Sequence, residues 1–357
     1  MSRAKRRSAA ANTVVVALLG AAGLLAACSH RPPATDPTAP RPTWPAAPDP
    51  ARIRYVQTIR TPEDLGIRRG PLRRFFERLV HGRRVRGMAR PYGVAVAPNG
   101  TIAVADPDAR SVHLFDVEQS RYWRVIEGGD EPLVSPVGIA ADGQGRFYVS
   151  DSVRGVVLRF DPRGDWIDTL GAEGDLQRPT GLAFDKVRNV LWVVDTAGHR
   201  IVGFDADGNE VARFGGRGTD PGQFNFPVAV AVDGAGRLFV SDSMNFRVQV
   251  LEPDGRFVRA FGGPGTGPGD FDKAKGIALD SAGHIYVVEG LHDVIHVYDG
   301  EGSLLTVIGG SGVGDGEFAL PAGIHIENDR ILIADSANHR LQVLRYLGDV
   351  ESLRAGP

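Results

Sequence analysis

The sequence contains a single cysteine in 357 residues, too few for a disulfide framework or a cysteine-based zinc finger. It also lacks an excess of either charge: the formal net charge is −2 at pH 7, so the chain as a whole has no attraction for nucleic acid. Glycine is abundant, at 46 residues, but follows no three-residue period, which excludes a collagen-like chain. With 42% hydrophobic residues the chain can form a core, and its glycines predict many tight turns.

The amino terminus has the pattern of an export signal. Four basic residues precede an apolar run, residues 14–25, that is shorter than the ~20 residues needed to span a bilayer. Two small residues and then Cys28 follow this run. The segment resembles the signal peptides of bacterial lipoproteins, and the resemblance implies that residues 1–27 are removed and Cys28 is diacylated. A plain signal peptide with a cysteine there by chance, or a short membrane anchor, are the open alternatives.

These features predict an extracytoplasmic protein that is anchored to a membrane through lipid on Cys28. Ser29 stands where some lipoproteins retained at an inner membrane have aspartate, which favours the outer membrane if the cell has one. Residues 28–50 contain eight prolines and predict a tether, which in polyproline form reaches at most ~70 Å. Residues 1–27 carry four basic and no acidic side chains, so the mature chain has a formal charge of −6.

Residues 90–347 repeat one pattern six times, with three markers in constant register. The first marker is a Pro-x-Gly motif or a close variant, whose third position is Gly93, Gly138, Gly181, Ala229, Gly276 and Gly323. The second marker is an acidic residue, at Asp106, Asp151, Asp195, Asp242, Glu289 and Asp335. The third is a large apolar residue nine positions later, at Phe115, Phe160, Phe204, Leu251, Tyr298 and Leu344.

Each copy contains four short β-rich runs separated by glycine-containing turns, as in residues 230–261. Four strands in about 45 residues form a small sheet, and radial packing covers both of its faces. The repeat therefore predicts an all-β, six-bladed β-propeller with four-stranded blades over residues 51–347, followed by a tail, residues 348–357. The sixth copy lacks a fourth strand. We expect Ile53–Ile59 to supply it and so to close the last blade, because pairing the termini removes two exposed sheet edges.

Several segments resemble NHL repeats. The resemblance rests on Asn338–Val343, Gly198–Ile201 and Asn245–Val250, together with the connectors 261–263 and 314–318. It covers residues 90–347 and implies an NHL/TolB-like propeller. Copies one, two and five depart from the repeat at its arginine position, which holds Ser111, Val156 and Val294.

An arginine-rich insert, residues 60–90, separates the closing strand from the first blade and has ten arginines against three acidic residues. Apolar residues at helical spacing within residues 71–81 predict one short helix. Arg73, Arg74 and Arg78 lie off its apolar face and are candidate surface contacts. Two interpretations remain open: the helix packs on the propeller, or it contacts anionic lipid or an acidic partner.

The six repeated carboxylates predict structure rather than catalysis. Each ends a second strand, where it can accept hydrogen bonds from a turn or pair with the arginine five residues later, as Asp195 could with Arg200. His199 and His339 occupy a repeat position and are also expected to be structural. His325 is different, because the other five copies have alanine at its position. It requires a local cavity or a polar partner.

The middle residue of each Pro-x-Gly motif is expected at the mouth of the central channel, and these residues are Tyr92, Val137, Thr180, Val228, Lys275 and Ala322. The gluconolactonase-like and peptide-amidating-lyase-like propellers, which resemble this one, place metal ligands here: Asn or Asp in the first, His in the second. None of the six residues is of these types, and divalent metals need oxygen or nitrogen ligands from several side chains. We therefore expect no metal and no other cofactor.

Tyr92, Thr180 and Lys275 are the candidate ligand contacts at this mouth. An ammonium in a narrow channel is costly unless water, an acidic neighbour such as Asp272, or an anionic ligand compensates it. The function predicted is a binding or scaffolding module for protein partners, with a monomeric propeller and no role for nucleic acid. The alternative is a propeller hydrolase or lyase, lactonase-like or amidating-lyase-like, with a non-standard channel site.

Overall fold

The computed structural model describes residues 41–67, 87–171 and 174–348. The predicted signal peptide, Cys28 and most of the predicted tether lie outside the described residues. The predicted helix with Arg73, Arg74 and Arg78, and residues 349–357 of the predicted tail, also lie outside them. Within the described segments, no helix is long and apolar enough to cross a membrane.

Six antiparallel sheets follow one another along the chain. The strands of five are hydrogen-bonded in chain order, and the sixth adds amino-terminal strands at its outer edge. The first strand of each copy contacts the first strands of both neighbouring copies, and the first strand of copy six contacts that of copy one. The sheets therefore form a closed ring of six blades. This arrangement confirms the all-β, six-bladed propeller with four-stranded blades.

The strand bounds follow the repeat. The first strands, nearest the axis, are Gly93–Val96, Pro136–Ala141, Pro179–Asp185, Pro227–Val232, Ala274–Leu279 and Pro321–Glu327. The second strands are Ile102–Asp106, Phe147–Asp151, Val190–Asp195, Leu238–Asp242, Ile285–Glu289 and Arg330–Asp335. The third strands are Ser111–Asp116, Val156–Phe160, Arg200–Phe204, Arg247–Leu251, Val294–Tyr298 and Arg340–Tyr346. The fourth strands of blades one to five are Arg121–Val125, Trp166–Leu170, Glu210–Gly215, Phe257–Phe261 and Leu304–Gly309.

Three short elements lie outside the regular blades. Glu127–Gly128 pairs with Glu131–Pro132 in a two-stranded hairpin. Single 3₁₀ turns form at Pro62–Leu65 and Ser243–Asn245. The first of these turns begins the arginine-rich insert and is capped by Asp64, whose carboxylate accepts hydrogen bonds from the backbone N–H groups of Arg60 and Thr61, both at 2.8 Å.

The amino-terminal strand closes the ring as predicted. Ile53–Ile59 pairs antiparallel with Arg340–Tyr346, from Ile53 opposite Tyr346 to Ile59 opposite Leu341. It is the fourth strand of blade six, and both of its terminal isoleucines are buried. The closure therefore joins the first and last strands of the propeller sequence through backbone hydrogen bonds and through the core.

The end of the predicted tether differs from expectation. Thr43–Trp44 forms a fifth strand on blade six, with Trp44 opposite Ile53. The half-buried Trp44 side chain packs against the apolar cluster between blades five and six. The sequence predicted a tether through Pro50 because this segment is rich in proline. The indole and two backbone hydrogen bonds, from Tyr55 to the Pro42 carbonyl at 3.0 Å and from Arg52 to the Trp44 carbonyl at 2.8 Å, hold residues 43 and 44 on the blade instead.

The core lies between blades rather than within them. Six clusters of buried apolar residues are found in the described segments, and each draws on two adjacent blades. The cluster between blades six and one, for example, joins Leu332 and Leu341 to Val94 and Ile102. Since each sheet has two apolar faces, only neighbours on both sides can bury them.

Candidate functional site

The six first strands line a central cavity of about 470 Å³. The glycines of the Pro-x-Gly motif allow these strands to lie close together. A Cβ on Gly138 would lie 1.9 Å from the carbonyl oxygen of Thr180 in the next blade, and one on Gly323 would lie 2.2 Å from that of Tyr92. The first sequence marker therefore reflects close backbone contact between adjacent first strands.

We call the end of the propeller where the first strands begin the entry face. The second strands end there, as the pairing of Pro179 with Asp195 shows. The entry face therefore carries the connectors into each blade and the loops between second and third strands. The six repeated carboxylates, all buried, lie at this end.

The carboxylates hold the connectors, whereas the sequence predicted bonds from the turn that follows each carboxylate. Asp195 accepts hydrogen bonds from the backbone N–H groups of Gln177 at 3.0 Å and Arg178 at 2.8 Å. The same bond recurs in the other blades, from Ala89 to Asp106, Val134 to Asp151, Asn225 to Asp242, Lys273 to Glu289 and Ala319 to Asp335. Burial raises the pKa of Glu289, but the N–H groups of His292, Leu291 and Lys273 outweigh it and hold that pKa below its usual value.

The predicted pair of Asp195 with Arg200 is present, with Nε 2.9 Å from Oδ2. Blade six has the most buried version of the pair: Arg340 donates to Asp335 at 2.7 Å, and both side chains are almost completely buried. His199 and His339 are structural as predicted, because each contacts the connector into the next blade. These side chains are therefore occupied by contacts within a blade and between adjacent blades.

A second set of bonds joins the blades at the entry face. The residue after the carboxylate donates its hydroxyl to the carbonyl of the residue that begins the next first strand: Ser152 to Pro179 at 2.6 Å, Thr196 to Pro227 at 2.7 Å and Ser336 to Pro91 at 2.6 Å. Blade five has Gly290 at this position. There the ammonium of Lys275 donates to the corresponding carbonyl, of Pro321, at 3.0 Å.

Two of the three predicted channel residues line the cavity. Tyr92 and Lys275 are in its wall. The Thr180 hydroxyl instead lies 2.7 Å from the Thr196 hydroxyl and 3.0 Å from the Val228 carbonyl oxygen, and it donates its one proton to one of them. Its polar group is therefore used between blades three and four.

Lys275 is the most perturbed base at the entry face. Burial, together with the nearby cations Lys273 and Arg90, lowers its pKa to about 8. Its hydrogen bond goes to a backbone carbonyl and not to Asp272, the acidic neighbour suggested by the sequence. Burial also raises the pKa of Tyr92, which Arg90 and Arg178 oppose.

The opposite end of the cavity contains groups that sequence reasoning did not connect. Lys186, after the first strand of blade three, forms an ion pair with Glu327 of blade six, with Nζ 3.2 Å from both carboxylate oxygens. His325 lies beside them, with Nε2 4.0 Å from Oε2 of Glu327. Burial lowers the pKa of His325 to about 4, so the imidazole is neutral at pH 7. No spacing in the sequence could have paired positions 186 and 327.

His325 thus has the cavity that its size requires. Its Nε2 is buried and finds no hydrogen-bond partner among the protein atoms of the described residues. In the same part of the chain, no group of three or more His, Cys, Asp or Glu side chains is arranged to hold a metal ion.

Comparison with known families places residues 318–344 in a match to the NHL repeat. Residues 228–299 match a family described as 6-bladed beta-propeller. Together with the closed ring of blades, these matches show that the chain is a six-bladed β-propeller in which residues 318–344 form an NHL-type repeat.

Several solved structures share this fold. A protein of unknown function from Bacteroides thetaiotaomicron has 18% identity and a TM-score of 0.57, covering 72% of this chain and 70% of that one. Virginiamycin B lyase from Staphylococcus aureus has 14% identity and a TM-score of 0.55, covering 72% and 95%. A gluconolactonase from Xanthomonas campestris has 18% identity and a TM-score of 0.55, covering 72% and 86%. Identities this low show a common fold and no more.

Proposed function

We propose that this chain is an exported, lipid-anchored propeller that acts as a binding or scaffolding module for protein partners, which it contacts through its entry face. The observation that carries the proposal is a set of exposed apolar side chains beside exposed cations on that face. The anchor would be Cys28, and the partner surface would carry apolar and acidic groups.

The apolar side chains share one loop position, two residues after the repeated carboxylate. Val153, Met244 and Leu291 there are 69%, 53% and 54% exposed. The residue before each Pro-x-Gly motif or its variant gives the second set. It is exposed Leu320 in one blade and an exposed cation in three others, Arg90, Arg178 and Lys273. Of the twelve residues at these two repeat positions, one is acidic, Asp108.

This pattern suits a protein surface better than a small substrate. Apolar side chains on several loops, flanked by charge, are typical of interaction sites, because burying them against a partner recovers the free energy lost by exposing them to water. The cations would steer an acidic partner and fix its orientation. The hydroxyls and carboxylates nearby are already bonded between blades.

Site-specific photo-crosslinking in the native cell would test the proposal. A photoreactive residue at Met244 or Leu291 should give a crosslinked protein adduct. Val187 is the matched control, because it is 69% exposed in a turn at the opposite end of the propeller. Replacing Arg90, Arg178 and Lys273 with glutamate should abolish the adduct. Adducts at Val187 alone, or at no position, would contradict the proposal.

The lipid anchor requires a separate test. Cys28→Ser removes the only predicted acylation site, so the variant should leave the membrane fraction. If it stays with membranes, the insert with Arg73, Arg74 and Arg78 becomes the stronger candidate for membrane contact.

One observation favours the alternative of a hydrolase or lyase: a lysine with a lowered pKa lies at a cavity mouth, as perturbed bases do in many active sites. That alternative would also be supported by zinc or calcium bound stoichiometrically to the purified protein.

A further inference from the structure

An ion pair crosses the cavity at the end opposite the entry face. Lys186 belongs to blade three and Glu327 to blade six, which are opposite one another in a ring of six, and both side chains line the cavity. Nζ lies 3.2 Å from each carboxylate oxygen. The pair therefore forms a bar across the channel at this end. We call the Lys275 end of the cavity its mouth and the barred end its inner end.

The pocket has the size and walls of a small-molecule site. Its volume of about 470 Å³ lies within the ~300–1,000 Å³ typical of ligand pockets. The first strand of blade six runs five residues along the pocket, from Ala322 to Glu327, so the pocket wall is about 16 Å long at ~3.3 Å per residue. Its side chains between mouth and bar are mainly aliphatic, including Ile139, Leu182, Val230, Ile277 and Ile324.

The mouth of the pocket is cationic. Lys275 lies in its wall and uses one of three ammonium donors on the Pro321 carbonyl. Lys273 and Arg90 are close enough to act on its charge. Two carboxylates near this ammonium, Glu289 and Asp293, already accept hydrogen bonds from other groups. The field at the mouth therefore favours an anion.

The inner end of the pocket offers one hydrogen-bonding atom that the fold does not use. His325 replaces an alanine of the other five blades, and its Nε2 is buried without a protein partner in the described segments. A neutral imidazole can donate or accept there, according to its tautomer. A turn of the imidazole ring would bring Nε2 to the pocket surface, where a ligand that reaches this depth would gain from a polar atom opposite it.

We propose that the pocket binds a single-chain, mainly apolar carboxylic acid, with the carboxylate at Lys275, the chain along the first strands and a hydroxyl or carbonyl near its far end at His325. Binding at this site does not depend on a protein partner, although Arg90 and Lys273 border both the pocket and the proposed protein-binding surface. The cationic mouth argues for the acid, and the aliphatic wall argues for the chain.

Calorimetric titration with straight-chain carboxylates of six to fourteen carbons, and with the matched primary alcohols, tests this. The protein is the mature chain with Cys28→Ser, so that no acyl chain on residue 28 can occupy the pocket. Affinity for the acids should rise about fourfold per methylene and then level off where the chain meets the bar. In Lys186→Ala/Glu327→Ala the levelling should move to longer chains.

Lys275→Met should weaken acid binding about 10- to 100-fold and leave alcohol binding unchanged. The matched control is Arg256→Met, which removes a 69% exposed cation that does not line the pocket and should change either affinity by less than about threefold. A terminal hydroxyl should strengthen binding of the longest acid that fits, and His325→Ala should remove that gain.

The proposal is overturned if no acid binds, if alcohols bind as tightly as acids, or if Lys275→Met and Arg256→Met behave alike. A hydroxyl effect that persists in His325→Ala would overturn the assignment of the inner end. Circular dichroism and melting of each variant separate these outcomes from misfolding.

Discussion

A Cβ at position 290 would lie 2.3 Å from Cε of Lys275, so Gly290 leaves the space that this lysine occupies. The lysine then makes a bond that belongs elsewhere to the residue at the position of Gly290. Its Nζ donates to the Pro321 carbonyl at 3.0 Å, as the Ser336 hydroxyl donates to the Pro91 carbonyl at 2.6 Å. Blade five therefore supplies the same link between blades from a different strand.

We predict that positions 275 and 290 are energetically coupled. Gly290→Ser alone should lower the free energy of unfolding by about 1–2 kcal/mol, because it displaces the lysine from its carbonyl. Lys275→Val/Gly290→Ser, which copies Val137 and Ser152 of blade two, should be at least as stable as the wild type, because the Ser152 hydroxyl makes this link in its own blade. Urea denaturation of the two single variants and the double variant measures the coupling. Simple additivity would show that the two residues do not share this role.

The Lys275 ammonium should titrate near pH 8, against an ordinary value of 10.5. The sequence has four lysines, Lys5, Lys186, Lys273 and Lys275, so NMR of the ¹³C-dimethylated protein can assign this titration by its loss in Lys275→Met. Because the folded pKa is lowered, the unfolded chain holds more protons between pH 8 and 10.5. Stability relative to Lys275→Met should therefore rise across that range, by at most about 3 kcal/mol. A stability difference between the wild type and Lys275→Met that does not change with pH would contradict this prediction.

Residues 43 and 44 should stabilise the propeller, unlike the rest of the predicted tether. Trp44→Ala should lower the free energy of unfolding by about 1–3 kcal/mol, since it removes half-buried aromatic area from the cluster between blades five and six. Deleting residues 29–40 should leave the melting temperature unchanged, whereas deleting Ile53–Ile59 should destabilise the ring and promote aggregation. Equal melting of the two deletion variants would refute the assignment of the closing strand.

Arg340 should be the least replaceable arginine of the repeat. It donates to Asp335 at 2.7 Å and to the carbonyls of Val313, Gly314 and Glu317 at 2.7–2.9 Å, and 1% of its side chain is exposed. Arg340→Met should cost about 3–5 kcal/mol, because it leaves the Asp335 carboxylate buried without its cation.

The equivalent substitution Arg200→Met provides the control for Arg340. The Arg200 side chain is 22% exposed, and its loss should cost about 1 kcal/mol. If urea denaturation shows the same loss of unfolding free energy for Arg200→Met and Arg340→Met, burial does not determine how much this ion pair stabilises the protein.

The repeat period alone was sufficient to predict the architecture. Glycine, acidic and aromatic or leucine markers recur at constant spacing because each serves a local contact that every blade repeats: the close approach of first strands, the hold on the connector and the apolar filling between sheets. The closing strand Ile53–Ile59 was predictable for the same reason, since one copy lacked a strand that all the others have.

The sequence alone therefore predicted the features that every blade repeats, and its export pattern ending at Cys28 remains an expectation. The features that depart from the repeat became known only from the folded structure. Trp44 joins a blade because a core assembled from distant segments lies beneath it, and Lys186 meets Glu327 because ring closure places blades three and six opposite each other. Such contacts depend on three-dimensional proximity between residues far apart in the chain, which no local pattern of apolar and polar residues encodes.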